Sequence, residues 1–138
     1  MDQTRLVNEE LNEGLRFVRR FHESHPVSVA FWLKSPDDSP WYLYIVPESL
    51  RGDDLYSAYQ VVAELGVESY SPNFDPFTIK LIPSDDPLAE AAREEIRDWR
   101  FGHARRLTAT WFGDRYVEGV YIYPPAEFAA VADGSPTP

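Results

Sequence analysis

Cysteine is absent from this chain, lysine occurs only at Lys34 and Lys80, and the sole methionine is Met1. Without cysteine there is no disulfide, no thiolate zinc site and no cysteine nucleophile. No apolar run approaches the about 18 residues that a membrane-spanning helix needs. The opening stretch MDQTRLVNEELNEG is polar and acidic, without the apolar segment of a secretory signal. An excess of positive charge is missing too: 13 bases against 23 acids leave a net charge of −10. That balance disfavours long-range attraction to nucleic acid or to an anionic membrane. A cytoplasmic protein that engages neither is therefore expected. Phosphate-loop, dinucleotide, zinc-protease and serine-hydrolase signatures are also missing, so no catalytic residue, metal ligand or cofactor is assigned.

What is present is apolar and aromatic. Of the 138 residues, 43% are hydrophobic and 14% aromatic, enough to build one globular core at this length. A single domain over residues 1–125 is expected, with 126–138 as a mobile C-terminal tail that makes one helical turn before fraying.

Periodicity supplies the elements. Val7, Leu11, Leu15, Val18 and Phe21 recur at helical spacing, which predicts a helix over 5–24 ended by Pro26. VSVAFWLK (27–34) and WYLYIV (41–46) alternate as strands around the turn-forming SPDDSP. A second helix is expected over 54–65, with Leu55, Ala58, Tyr59, Val62 and Leu65 inward and Gly66 at its end. FTIKLI (77–82) reads as a strand and 86–100 as a third helix with Leu88, Ala92, Ile96 and Trp99 inward. RLTATWFGDRYVEGVYIYP reads as a second hairpin turning at Gly113-Asp114-Arg115. The order α-β-β-α-β-α-β-β predicts an α+β fold, with a largely antiparallel sheet of about five strands and three helices.

Three Asp-Asp pairs first suggest a divalent-cation site, because hard cations take several oxygen ligands. Each pair has a simpler local reason. Asp53-Asp54 and Asp85-Asp86 precede helices, where a carboxylate accepts from unpaired first-turn amides, and Asp86-Pro87 combines an N-cap with proline at the first helical position. Asp37-Asp38 lies in a hairpin connection. His22 and His25 share a helical face but end the first helix, where partly cationic side chains suit the dipole. His103 stands apart from both.

Two groups remain as candidate sites. Arg93, Arg97 and Arg100, spaced four and three apart, continue into Arg105 and Arg106 and form a candidate anion-binding stripe, since guanidinium forks suit phosphate and carboxylate. The competing reading pairs Glu90 with Arg93 and Glu94 with Arg97 along the helix. The second group is aromatic. If Val29, Phe31, Leu43 and Ile45 face the helices, Trp32, Tyr42 and Tyr44 face away, joined on the last hairpin by Thr108, Thr110 and Phe112. Three helices covering one sheet face would leave these six as a partner-binding surface, because Tyr and Trp give large contact area with a polar handle.

The leading expectation is a small non-catalytic protein-interaction domain that binds a protein partner, in one version a basic one, or a second copy of itself, through that aromatic face. The alternative is a small metal-dependent hydrolase or nuclease, with Asp75 or an Asp-Asp pair at the metal and Arg97, Arg100 or Arg106 clamping phosphate. A weaker idea is a nucleic-acid adaptor acting through the arginines alone.

Overall fold

A computed structural model describes residues 8–37, 40–48, 52–69, 78–98 and 105–132, with the backbone alone at 52–55, 68–69 and 129–132. The elements run α1 (Asn8–Ser24), β1 (Val27–Lys34), β2 (Tyr42–Pro47), α2 (Gly52–Ser69), β3 (Ile79–Leu81), α3 (Pro87–Asp98), β4 (Arg105–Phe112), β5 (Arg115–Ile122) and α4 (Pro125–Ala132). The fold is α+β, and the predicted element order is the observed one, with α4 added. One five-stranded sheet carries the order β3-β2-β1-β5-β4. All its pairings are antiparallel except β2 with β3, which are joined through α2 as a parallel crossover.

The helices divide between the two faces. Three of them, α1, α2 and α4, bury Phe17, Val18, Phe21, Ala58, Val62 and Phe128 on Ala30, Trp32, Leu43, Ile45, Ile79 and Leu81. On the other face α3 lays Leu88, Ala89 and Ala92 over Val29, Phe31, Leu33, Tyr44 and Val46. Both faces are therefore covered along β1 and β2, so β1 is almost continuously buried, as a strand between two helical layers must be.

Local chemistry explains the element ends. The carboxylate of Asp86 accepts the Leu88 amide at 2.9 Å and Pro87 follows, the N-cap arrangement that the sequence predicts. At the far end of α1, His22 Nδ1 accepts the Val27 amide at 2.8 Å and turns the chain into β1. The β4–β5 turn is the two-residue loop Gly113-Asp114 with Gly113 at φ 66°, the position at which a tight hairpin turn takes glycine.

Residues expected as a mobile tail begin as a helix. Pro125 opens α4, and Phe128 is 1% exposed within the layer that α1 completes. One large buried ring supplies the packing that an eight-residue helix needs, since helices this short are marginal without it. Residues 133–138 lie outside the described residues, as do Val7, Trp99 and Asp38. No helix among the described residues is long and apolar enough to cross a membrane.

Candidate functional site

The expected aromatic face does not form, and strand register is the reason. Phe31 pairs with Tyr44, and Trp32 with Leu43. Directly paired residues share a face, so Phe31 sits with Tyr44, not with Leu43. A one-residue difference in register sends every side chain to the opposite face. Trp32 thus lies beneath α1 and is 2% exposed, while Tyr44 lies beneath α3 and is 5% exposed. The Tyr44 ring stacks on Phe31 at 5.3 Å. Burial raises its phenol pKa above the ordinary value, with Arg115 opposing and Asp86 and Tyr42 adding to the shift. Tyr42 is half-buried and carries the Lys80 ammonium 4.3 Å from its ring centroid.

The second hairpin departs from strict alternation. Leu107 and Phe112 are five residues apart yet pack into the same cluster beneath α3, as do Val117 and Val120, three apart. Regular alternation would send each pair to opposite faces. The reset falls at Ala109, which sits at φ 46°, the sole left-handed non-glycine among the described residues. Phe112, expected outward, is consequently 2% exposed, whereas Trp111, expected inward, is 70% exposed. Thr110 is half-buried opposite Val117, and Thr108 alone of the six expected binding residues is exposed.

The uncovered aromatic surface therefore exists, but at the β4–β5 end of the sheet, on the side carrying α1, α2 and α4. Trp111 stands opposite Tyr116 and meets it edge-on at 6.1 Å, and Tyr116 is 42% exposed. Farther along the hairpin, the Arg106 guanidinium lies 5.0 Å from the Tyr121 ring centroid. Burial raises the Tyr121 pKa, Glu127 adds to the shift and Arg106 opposes it. Trp41, half-buried, reaches over Gly119. A Cβ at 119 would come within 2.6 Å of the indole, so glycine is what seats that ring on the sheet. Gly119→Val is expected to lift Trp41 and to lower stability by about 1 kcal/mol, the low end for overpacking because the indole can swing outward. Urea unfolding followed by fluorescence reads both effects, and an unshifted midpoint would contradict the seating.

The predicted arginine stripe is dispersed by its partners. Arg93 turns back to donate to the Ser84 carbonyl at 2.7 Å instead of pairing with Glu90. Arg105 pairs with Glu95 at 3.0 Å, Arg106 covers Tyr121, and Arg97 is exposed. Arg100 lies outside the described residues, together with Asp75 and His103. His22 is occupied by the Val27 amide, and His25 stacks on Phe21 at 5.4 Å. Among the described residues, no three His, Asp or Glu side chains are grouped as a metal ion would require.

The sequence signal for the missed residues was weak. Trp111 and Tyr116 look like any alternating hairpin pair unless the backbone reversal at Ala109 is anticipated, and alanine does not advertise a left-handed conformation. No known protein family, no curated protein and no solved structure matches the chain.

Proposed function

We propose that the protein is a protein-interaction domain that docks a basic partner protein on the uncovered β4–β5 face, with Trp111 and Tyr116 as its anchors. The observation that carries this reading is the 70% exposure of Trp111 beside Tyr116, with Arg106 farther along the same face, because Trp, Tyr and Arg dominate the energetic centres of protein interfaces. The partner's charge follows from the chain's own −10. Lysine and arginine side chains of a basic partner can settle on the exposed rings, much as Arg106 does on Tyr121. A second copy is the poorer occupant, since two bodies of the same large charge repel.

Peptides selected from a displayed random library on the wild-type protein are expected to be basic with an apolar anchor. Trp111→Ala should weaken the selected peptide by about thirtyfold, the loss of about 2 kcal/mol that marks an anchor residue. Unchanged affinity for Trp111→Ala would overturn the proposal. A concentration-dependent dimer abolished by the same substitution would replace the partner with a second copy.

A further inference from the structure

We infer that the outward face of α2 is a separate docking surface for a basic amphipathic helix. It shares with the reading above only the basic character of the partner. It lies at the opposite edge of the sheet, because α2 packs beside β3 and the Trp111 face belongs to β4.

The argument begins with the composition of α2. Its inner side is apolar, with Ala58 and Val62 buried and Val61 and Leu65 half-buried against the core. The outer side carries the exposed polar residues Ser57, Gln60 and Glu64, and beside them a second apolar row. Tyr56 is 73% exposed, Tyr59 41% and Val67 85%, and Ala63 is exposed between them. A row of exposed apolar residues this long on one helix marks an interaction surface, and here no element of the fold covers it among the described residues. The four residues recur at spacings of three, four and four, so they form one ridge along the helix. Ala63 leaves a gap in that ridge between Tyr59 and Val67, of the kind that accepts a large apolar side chain from a facing helix. Tyr59 is held in place, because its hydroxyl accepts the Leu81 amide at 3.1 Å. A ring fixed before binding loses little freedom on contact.

Charge selects the occupant. The α2 sequence GDDLYSAYQVVAELGVES contains four carboxylates and no basic residue, and Glu64 is exposed one position from Ala63. A second copy packing α2 on α2 would bring carboxylate against carboxylate, which is destabilising at such spacings. A helix with leucine-like residues on one stripe and lysine or arginine beside it satisfies both the apolar ridge and its acidic border.

The test uses the full chain and three synthetic peptides of about 21 residues, three heptads long. The first has leucine at the a and d positions and lysine elsewhere. The second has the same composition with the leucines scattered, and the third replaces lysine with glutamate. In calorimetric titration the first is expected to bind at least tenfold tighter than the other two, and to gain helical circular dichroism as it binds. Tyr56→Ala and Ala63→Arg should each weaken it by about tenfold or more, whereas Trp111→Ala should leave it unchanged. These positions are exposed, so folding should survive substitution. If either variant unfolds, Val67→Ser carries the test, with the same loss expected. Equal binding of the scattered peptide would overturn the docking surface, as would wild-type affinity in the α2 variants. Loss of binding on Trp111→Ala would move the site to the hairpin. A dimer dispersed by Ala63→Arg would assign the ridge to a second copy.

Discussion

Trp32→Ala is expected to lower the free energy of unfolding by about 3–5 kcal/mol, the range for deleting a large aromatic side chain from a packed core. That is a large share of the about 5–15 kcal/mol that holds a domain folded. The indole is 2% exposed, and α1 rests directly on it: a Cβ at Gly14 would come within 2.9 Å of its six-membered ring. Its Nε1 donates to the Tyr123 hydroxyl at 2.8 Å, so truncation removes a buried hydrogen bond together with the packing. Trp111→Ala should change stability by no more than about 0.5 kcal/mol, as surface substitutions usually do. Urea denaturation of the two variants side by side makes the comparison. A Trp32→Ala variant within about 1 kcal/mol of wild type would mean that this tryptophan belongs to the surface after all.

Alkaline pH supplies the second large effect. The Tyr123 hydroxyl accepts from Trp32 and donates to the Leu11 carbonyl at 2.6 Å. Burial pushes its pKa far above the ordinary value, the Trp32 hydrogen bond opposes that shift, and Tyr121, Glu127 and Glu10 add to it. In the unfolded chain the phenol ionises near pH 10, while the folded protein keeps its proton, so the folded state binds more protons as pH rises. Stability from this group is therefore complete below about pH 10. Above that it falls, at about 1.4 kcal/mol per pH unit, until the folded phenol itself ionises. Tyr44 and Tyr121 shift in the same direction and reinforce the decline. Tyr123→Phe is expected to lose about 1–3 kcal/mol at neutral pH, because Trp32 and Leu11 each lose a buried partner. Its stability should then decline less steeply above pH 10, by about one proton. Unfolding midpoints measured from about pH 8 to 11.5 test this. Parallel curves for the two proteins would refute it.

The parts of this fold that were legible from sequence are those with a single dominant period. The α1 stripe through Leu11, Val18 and Phe21, the Asp86-Pro87 start of α3 and both hairpins all appear where spacing and turn chemistry place them. Facing was harder to read. In VSVAFWLK both sets of alternating residues are apolar, since β1 is buried on both sides, so alternation carries no inside or outside there. The pairing of Phe31 with Tyr44 then depends on the geometry of the SPDDSP connection rather than on hydrophobicity. In α2 the same ambiguity hid the outward ridge, because Tyr59 reads as core and is 41% exposed. The arginine spacing was plain, but Arg93 on α3 is spent on Ser84 in the preceding turn, and Arg105 on β4 pairs back to Glu95 on α3. Neither partner follows from helical spacing.

The position of β1 has a kinetic consequence. It is the middle strand, and one of its two neighbours is β5. The Trp32–Tyr123 bond spans 91 residues, and the bond from Tyr123 to Leu11 on α1 spans 112. At a ribosome's about 5–20 residues per second, β1 waits about 5–20 s after its own synthesis for that second neighbour. Throughout this interval α1, β1 and β2 hold apolar surface that only later segments cover. Folding is thus gated by contacts of high sequence separation, which slow the search and place the nascent chain's greatest exposure to aggregation before β5 emerges.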